Sequence, residues 1–506
     1  MNKKNFLYAA YAAAFIGMCL APAVMLAFDK NDGAAENRKL SEKPSIKTES
    51  GSLNSEFFSE FDTYFSEHFA FRKQLVTLNS TLRAELLADS ADDDVIVGKD
   101  GWLFYGDTAD DFMNVNTLSD RAINNIYRNL ELLNEYCSEQ GASFLFTVAP
   151  DKNSVYPEYM PYNYIESNNE GNYEKLLRIG ESRYQAWYES MLSSIMSIAT
   201  PTAKPCFVDL RETLRQAKLS SEYQLYHSTD THWNNLGAMI AANELLSYIT
   251  GDEQLYGTYG LTAKNDWSGD LAEMLYPTDV PADMQLYTDH DFAYEYVGRF
   301  KGFDDISIKT VCRDGSGGLL MYRDSFGEAI LPFMAEAFGS AEFSRTVPYR
   351  VDAIANGEAD NVILEIVERN LGNLQKYAPV MPAPECGKVL KNSPLSSDDR
   401  YTLCSDFTAC YADANSYHHI YGVLGEEFFS SDASEIYVTV NGVTYAAFNA
   451  FEDKLLGMEG QSCDRGYSLY IPKTDANETI DMNNIIVTVV ADNGDTAASG
   501  DISLAL

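Results

Sequence analysis

Basic residues are scarce in this chain of 506 residues, which has 37 lysines and arginines against 75 aspartates and glutamates. The formal net charge is −38 at neutral pH, and the acidic residues are spread along the chain rather than gathered in one tail. A surface of this sign repels the phosphates of nucleic acids and the headgroups of anionic lipids. The composition therefore excludes nucleic acid as a partner.

Cysteine and histidine are also sparse, with eight and six residues, and no two cysteines have the CxxC spacing of a zinc ribbon. His418 and His419 are adjacent but have no carboxylate or cysteine at ligand spacing. We therefore expect no metal and no other cofactor. Four cysteines follow residue 385, and one or two disulfides among them are expected outside the cell, with the pairing left open: Cys386, Cys404, Cys410 and Cys463.

A single long apolar run occurs, from Phe6 to Phe28, and it follows Lys3 and Lys4. This arrangement is typical of an export signal. The run is long enough to span a bilayer, and only a weak cleavage site ends at Ala21. We expect residues 1–28 to form a membrane anchor or, alternatively, a cleaved signal peptide. In both cases the rest of the chain is predicted to be extracytoplasmic, at the cell surface or secreted.

The remaining chain divides into segments of different character. Residues 29–52 are polar and turn-rich, which is typical of a flexible stalk. Apolar residues at helical spacing then predict one or two helices, followed by the hairpin VIVGKDGWLFYG with its turn at Asp100 and Gly101. From about residue 119, apolar strands alternate with amphipathic helices, so residues 53–382 are predicted to form an α/β domain with a parallel sheet and helices on both faces.

Residues 395–506 follow a linker rich in Pro and Ser and differ from the preceding domain. Their strands alternate polar and apolar residues, and turn pairs such as Asn441-Gly442 separate them. This pattern predicts a C-terminal all-β sandwich. Such a domain is either a glycan-binding accessory or a spacer.

The segment YHSTDTHWNNLGAM, from Tyr226 to Met239, contains two of the six histidines. Asp230 and His232 are two residues apart, so their side chains share a face only if the segment is extended. Asn234 or Asn235 is suited to cap the helix that follows. A carboxylate beside an imidazole in such a loop fixes the tautomer and leaves the other nitrogen as a base.

The segment LLMYRDSFGEAI reads as a strand, a sharp turn and a helix, with Ser325 at the turn. This arrangement lifts the serine hydroxyl to the edge of the sheet beside a helix N-terminus, where backbone N–H groups are placed to hold an oxyanion. Each of these two signals also has a purely structural explanation, namely a helix-capping carboxylate and a helix-capping serine. Their occurrence together in one α/β domain favours a nucleophile and a base.

Five short motifs together resemble one family of bacterial proteins: GKDGWLFY (98–105), YPEYMP (156–161), DTHW (230–233), YRDSFG (322–327) and EIVERN (365–370). The sequence is similar to the SGNH-hydrolase-like domains of cell-surface proteins called DHHW proteins, and to the alginate O-acetyltransferases of the periplasm. The resemblance covers roughly residues 53–380. Thr231 stands where the naming motif has histidine, which matches the acetyltransferase pattern.

The resemblance implies a flavodoxin-like sheet and a Ser-His-Asp triad that transfers acetyl groups to a polysaccharide or removes them. Ser325 would be the nucleophile, His232 the general base and Asp230 its orienter. The partners would be a polysaccharide and an acetyl donor, which is either a small ester or an acetylated membrane partner. The negative charge favours a neutral or amino-sugar polymer over an anionic one. The alternative is a non-catalytic glycan-binding surface protein that retains a relic triad.

Candidate substrate contacts surround these three residues. Lys152 follows the strand SFLFTVAP, at the edge where substrate is expected. The alternative explanation is a solvated loop lysine. Trp233 is a stacking platform for a sugar ring or, alternatively, a packing anchor. Arg323 precedes Ser325 by two residues and is a candidate substrate contact. The alternative explanation is a structural ion pair with a carboxylate. Tyr322 and Arg369 complete the set.

Overall fold

The structure is a computed structural model that describes residues 8–17, 20, 41–48, 51–68, 71–87, 89–196, 207–251, 256–257, 260–386, 401–474 and 477–500. The predicted stalk and linker lie partly outside these ranges, as does much of the N-terminal apolar run. Residues 8–17 are helical and exposed. Within the described ranges, no helix is both long and apolar enough to cross a bilayer.

From residue 41 onward, the described chain forms ten α-helices and nineteen strands, together with short 3-10 turns. The helices are α1 (Phe57–His68), α2 (Arg72–Leu87), α3 (Ala109–Phe112), α4 (Asp120–Glu139), α5 (Lys152–Val155), α6 (Asn172–Met196), α7 (Leu210–Ser220), α8 (Asn235–Thr250), α9 (Asp270–Leu275) and α10 (Gly327–Ala337). The first strands are β1 (Val95–Val97), β2 (Leu103–Tyr105), β3 (Ser143–Ala149), β4 (Phe207–Val208), β5 (Leu261–Ser268), β6 (Ala282–Thr288), β7 (Tyr294–Tyr296), β8 (Ser307–Cys312), β9 (Gly318–Tyr322), β10 (Ser340–Ser344) and β11 (Asn361–Val367). The last strands are β12 (Thr402–Leu403), β13 (Cys410–Ala414), β14 (Tyr417–Val423), β15 (Ser434–Val440), β16 (Val443–Ala447), β17 (Gly466–Pro472), β18 (Ile486–Ala491) and β19 (Thr496–Ala498).

The central sheet has seven strands in the order β4-β3-β11-β9-β10-β8-β7. The first five strands are parallel, whereas β8 and β7 add an antiparallel edge. Strands β3, β9 and β11 are buried along nearly their whole length, which explains their continuous apolar sequences. The predicted α/β fold is confirmed, with the difference that its sheet is mixed at one edge.

Alternate side chains of the central strands face two separate cores. Leu319 and Met321 of β9 point into a core shared with α7, α8 and α10. Leu320 and Tyr322 point to the opposite face, into a core shared with α4 and α6. Helices therefore cover both faces of the sheet, as the alternation of strands and helices predicted.

The N-terminal part of the fold agrees with its sequence pattern. Two helices, α1 and α2, precede an antiparallel hairpin in which β1 pairs with β2. Asp100 and Gly101 at its turn have φ values of 56° and 82°, in the left-handed region that short hairpin loops require. The hairpin contacts the segment of Tyr226–Met239, since Leu103 N donates to Ser228 O at 2.8 Å.

A second hairpin, β5–β6, was not predicted from the sequence. It is inserted between α8 and the antiparallel edge of the sheet, and α9 lies within its connection. Asn235 at the start of α8 anchors it, because Asn235 Nδ2 donates to Leu286 O at 2.8 Å. This hairpin covers the loop that carries Asp230 and His232.

The C-terminal part is a β-sandwich, as predicted. A five-stranded sheet (β12-β19-β18-β15-β16) and a three-stranded sheet (β13-β14-β17) enclose a common apolar core. The expected disulfides are wrong for the four cysteines after residue 385, because all four are free thiols in the structure. The sandwich is instead stabilised by its core and by contacts with α4, where Arg121 forms an ion pair of 2.6 Å with Glu426.

Candidate active site

The turn that carries Ser325 is held in place by hydrogen bonds that involve Asp324. The Asp324 carboxylate accepts the N–H of Phe326 at 2.8 Å and the N–H of Val367 at 2.7 Å. Asp324 N in turn donates to the buried Glu365 at 3.0 Å. These bonds join the turn after β9 to the end of β11, so Ser325 lies at the carboxyl edge of the sheet, as predicted.

The loop that carries Asp230 and His232 precedes α8, as the spacing required. Asn234 caps the helix by accepting the N–H groups of Leu236 and Gly237 at 3.0 and 3.1 Å. Asp283 of β6 fixes the other end of the loop by accepting Thr229 N at 2.7 Å. The loop is therefore fixed at both ends by hydrogen bonds.

Ser325, His232 and Asp230 form a continuous chain of hydrogen bonds. His232 Nε2 lies 2.8 Å from Ser325 Oγ, and His232 Nδ1 lies 2.8 Å from Asp230 Oδ1. An ionised carboxylate only accepts, so Nδ1 carries the proton and Nε2 of the neutral ring accepts from the serine. This is the geometry in which a histidine removes a proton from a nucleophilic serine.

The charges around His232 favour its protonated form. Burial alone lowers the pKa of His232, but the hydrogen bond and charge of Asp230, with the charge of Asp270, raise it above its ordinary value. For Asp230, burial raises the pKa, yet the hydrogen bonds and charge of His232 outweigh burial and hold the pKa far below the ordinary range. Asp230 therefore stays ionised, and His232 is a strengthened base.

Trp267 and Asp270 belong to this site but were missed from the sequence. Trp267 Nε1 and Asp270 N donate to Asp230 Oδ2 at 3.0 and 3.2 Å. His227 is buried and stacked on Trp267, with ring centroids 4.7 Å apart. Trp267 lies on the hairpin β5–β6, which the sequence pattern did not reveal, so no local signal linked it to Asp230.

Replacing Trp267 with phenylalanine should lower kcat/KM for a small activated ester by about tenfold. The change removes one hydrogen bond to a charged oxygen, an interaction of roughly 1.5–3 kcal/mol, and leaves Asp230 freer to rotate. Steady-state kinetics provide the measurement. Trp187→Phe, on α6, is the matched control and should leave kcat/KM unchanged; an equal loss in both variants would contradict the role of the Trp267 N–H.

Four predicted substrate contacts have side chains that are buried in the structure. Lys152 is buried and donates to three backbone carbonyls of the loop: His227 O, Ser228 O and Asp230 O. Tyr322 is buried in the core on the other face of the sheet. Trp233 is 1% exposed, and its Nε1 donates to Phe326 O at 3.1 Å, so it is the packing anchor rather than a platform.

Arg323 is the fourth of these residues, with a side chain that is fully buried. Its guanidinium donates to Asp324 O at 3.1 Å and to Phe303 O, and it lies 3.5 Å from Glu328. The structural ion pair is thus the correct explanation. Gly327 packs against it, because a Cβ at this glycine would lie 2.6 Å from Arg323 Cβ; the glycine provides room for the arginine.

Arg369 remains near the reacting groups. Its Nη1 pairs with buried Asp151 at 2.5 Å, and its guanidinium carbon lies 5.7 Å from the ring of Phe326. The side chain is 14% exposed. Its position next to the residue that follows Ser325 keeps it a candidate for contact with substrate.

Backbone N–H groups near Ser325 differ in their availability to an oxyanion. Phe326 N is already bonded to Asp324 and cannot serve. Ser325 N has no acceptor among the described residues. Ser325 N is therefore the candidate oxyanion donor of this turn.

Asp230, His232 and Asp270 also place one potential metal-ligand atom each within 4.8 Å of one another. His232 Nδ1 and Asp230 Oδ1 are already bonded to each other, and His232 Nε2 is bonded to Ser325. A metal at this position would have to break the hydrogen bonds that join Asp230, His232 and Ser325. The donor set therefore fits the hydrogen-bonded triad better than a metal centre.

Comparison with known proteins agrees with this fold. The sequence model of the family described as "SGNH hydrolase-like domain, acetyltransferase AlgX" matches residues 95–291, a span that includes Asp230 and His232 and ends before Ser325. The "probable alginate O-acetylase AlgJ" of Pseudomonas fluorescens is 26% identical over 205 residues, which are 40% of this chain and 45% of that protein. The chain thus spans less than half the length of this curated relative.

Two solved structures are also similar to the chain. A DHHW family protein from Eubacterium siraeum has a TM-score of 0.39 at 17% identity and covers 57% of this chain and 96% of its own. The O-acetyltransferase domain of Pseudomonas putida AlgJ has a TM-score of 0.32 at 20% identity and covers 55% and 92%. The family model and the curated relative confirm the similarity to alginate O-acetyltransferases and to SGNH-hydrolase-like domains that the motifs indicated.

Proposed function

We propose that this protein is an extracytoplasmic acyl-transfer enzyme, an O-acetyltransferase or acetylesterase that acts on a polysaccharide. The observation that carries the proposal is the hydrogen-bond chain from Ser325 through His232 to Asp230, with two contacts of 2.8 Å. The extracytoplasmic location is supported by the apolar run behind two lysines at the N-terminus. Residues 53–382 would be the catalytic domain and residues 395–506 an accessory domain.

In this mechanism, His232 Nε2 takes the proton of Ser325 Oγ as the oxygen attacks the carbonyl carbon of an acyl ester. Ser325 N stabilises the oxyanion, and Asp230 stabilises the imidazolium without accepting its proton. The proton then passes to the leaving alcohol as the ester C–O bond breaks, which leaves an acyl-enzyme. A sugar hydroxyl or water, deprotonated by His232, attacks that ester and releases the serine.

The acetyl group and the polysaccharide are proposed because the curated relatives are named as alginate O-acetylases. The acceptor proposed for this chain is a neutral or amino-sugar polymer, since a net charge of −38 opposes an anionic one. Arg369 is the proposed substrate contact. A membrane partner that supplies acetyl groups is compatible with an N-terminal anchor.

The test is intact mass spectrometry of the full-length protein after brief incubation with p-nitrophenyl acetate. One acetyl adduct that maps to Ser325 and is absent from Ser325→Ala is the expected result. Ser344→Ala is the matched control, since this buried serine ends the neighbouring strand β10 and should leave the adduct intact. Absence of both adduct and ester consumption from folded protein would overturn the proposal in favour of non-catalytic glycan binding.

Transfer and hydrolysis share the acyl-enzyme and differ in the acceptor. Incubation of the acetylated protein with chitin oligosaccharides or alginate oligosaccharides separates them. Acetylated sugar identified by mass spectrometry would establish a transferase, and free acetate alone would establish an esterase. We expect the amino-sugar oligomers to be acetylated faster than the anionic ones.

The proposed mechanism predicts that activity falls in acid with a midpoint above pH 6.5. His232 must be neutral to accept the serine proton, and its pKa is raised from the ordinary value of 6.5 by Asp230 and Asp270 against the opposing effect of burial. The measurement is kcat/KM for a soluble acetyl ester from pH 5 to 9. Asp270→Asn should move the midpoint to lower pH, because Asp270 Oδ2 lies 3.8 Å from His232 Nδ1. A midpoint unmoved by this change would contradict the electrostatic account.

A further inference from the structure

A cavity of about 270 Å³ opens directly onto Ser325 and His232. Its walls come from α8, α10, the hairpin β5–β6 and the connection between β6 and β8. Ser325 and His232 form part of its wall, and most of the other lining side chains are apolar. The cavity therefore offers space for part of an ester bound at Ser325.

The wall of the cavity is mainly apolar and aromatic. Its apolar surface includes Met239, Leu261, Phe292, Phe303, Ala329 and Phe333. These residues come from five separate segments of the chain that converge only in the fold. A wall of this composition favours a hydrocarbon ligand, because each methylene that leaves water contributes about 0.8 kcal/mol.

The polar groups of the wall include Glu328, which lies 3.5 Å from Arg323, and the side chains of His227 and Gln285, which are bonded within the protein. His227 Nδ1 donates to Met284 O at 3.0 Å, and Gln285 Nε2 lies 3.3 Å from His227 Nε2. Gln285 Oε1 accepts Asn235 N at 3.1 Å and Leu286 N at 2.9 Å. A sugar ring in the cavity would lose its hydrogen bonds to water and find these groups engaged, at a cost in free energy.

The cavity is larger than an acetyl group requires. A cavity of about 150 Å³ lined by aliphatic and aromatic residues holds one benzene molecule, which has six carbons. At 270 Å³ the present cavity has room for a linear chain of about eight carbons. An acetyl group on Ser325 would leave most of this apolar space unfilled.

We infer that the cavity is an acyl-chain pocket and that the enzyme accepts medium-chain acyl esters of about eight carbons in addition to acetyl esters. The inference rests on the proposed acyl-transfer function and names the substrate class of the same site. With an octanoyl ester, the bond from Ser325 Oγ to the acyl carbon forms and the ester C–O bond breaks. The leaving alcohol takes the serine proton through His232, and water then releases octanoic acid.

The decisive experiment compares two isomeric esters, ethyl octanoate and octyl acetate, with the full-length protein. Both contain the same atoms, but the long chain is in the acyl part of the first and in the leaving alcohol of the second. We expect kcat/KM for ethyl octanoate to exceed that for octyl acetate by at least about a hundredfold, since six more methylenes would be buried from the acyl side. Intact mass spectrometry should show an octanoyl adduct on Ser325.

Filling the pocket provides the second measurement. Ala329→Leu on α10 places extra volume in the cavity wall and should lower the ratio of octanoyl to acetyl turnover at least tenfold. Ala337→Leu, which ends the same helix and does not line the cavity, is the matched control and should keep the ratio of the wild type.

The outcomes separate this inference from the function on which it rests. Equal rates for the two isomers, or faster turnover of octyl acetate, would overturn the acyl-chain pocket while acetylation of Ser325 still supports the proposed enzyme. The same holds if Ala329→Leu folds and leaves the ratio unchanged. Failure of every ester to modify Ser325 would instead overturn the proposed function itself. The isomer comparison uses the wild-type protein, so it decides the question even if Ala329→Leu does not fold.

Discussion

Replacing His232 with glutamine is expected to lower kcat/KM for a soluble acetyl ester by a factor of about 10⁴ to 10⁶. Glutamine has no basic nitrogen at the position of Nε2, which lies 2.8 Å from Ser325 Oγ, so the serine would have to attack as a neutral hydroxyl. Glutamine still reaches toward Asp230 as a hydrogen-bond donor. The protein should therefore remain folded, with near-wild-type circular dichroism and thermal unfolding.

His227→Gln is the matched control for this change. His227 is a buried histidine of the same segment, but its ring nitrogens are bonded to Met284 and Gln285 rather than to the serine. We expect its kcat/KM to stay within about tenfold of the wild type. Similar losses in both variants would indicate general disruption of the loop and would contradict the role of His232 as base.

A double variant tests whether the residues act as a unit. If His232 acts only by activating Ser325, then Ser325→Ala combined with His232→Gln should be no slower than Ser325→Ala alone, because residues of one triad have non-additive effects. The measurement is the residual rate of ester hydrolysis above the buffer rate. Multiplied losses in the double variant would show that His232 contributes independently of the serine.

The central part of the site could be predicted because its signals are local. The two-residue spacing of Asp230 and His232 requires an extended segment, and Asn234 marks the helix that follows. Ser325 follows an apolar strand that is buried on both sides, and parallel strands bring their carboxyl ends to one edge of a sheet. Local spacing and sheet topology together were sufficient to place these residues near one another.

The surroundings of the triad could not be predicted in the same way. Strand β9 is apolar at every position, so its sequence does not reveal that Met321 and Tyr322 face opposite cores. Trp267 depends on a hairpin whose strand β5 is mostly exposed, so it lacks the apolar alternation that identifies half-buried strands. The cavity joins Met239, Phe303 and Phe333, which are far apart in sequence. Such convergence is a property of tertiary packing and leaves no pattern within any one segment.

The position of Lys152 was predicted correctly, but its role was not. The residue does follow β3 at the carboxyl edge of the sheet, but its side chain turns inward beneath the loop of Asp230. Its Nζ donates to Asp230 O at 2.5 Å and to His227 O and Ser228 O at 3.1 Å each. Lys152 is thus a positioning residue that holds the loop from inside.

Replacing Lys152 with methionine should lower the free energy of unfolding by about 2–4 kcal/mol and kcat/KM by roughly a hundredfold. Methionine fills the space but leaves His227 O and Asp230 O without a donor, at about 1–3 kcal/mol each, whereas Ser228 O keeps the N–H of Leu103. Part of this loss is offset, because burial already opposes the charge of Lys152 and lowers its pKa to about 8 despite three nearby aspartates. Activity should fall because the loop that carries Asp230 and His232 loses its support.

Urea unfolding and ester hydrolysis measured on the same preparations separate the two effects. Lys175→Met is the matched control, since Lys175 Nζ also donates to a backbone carbonyl, that of Leu118 at 2.5 Å, but lies away from the loop. It should lose stability without losing activity. If Lys152→Met unfolds at the same urea concentration as the wild type and retains its activity, the three carbonyls do not depend on the lysine. In that case the hydrogen bonds of Asp283, Trp267 and Asp270 would be sufficient to hold the loop of Asp230 and His232 in place.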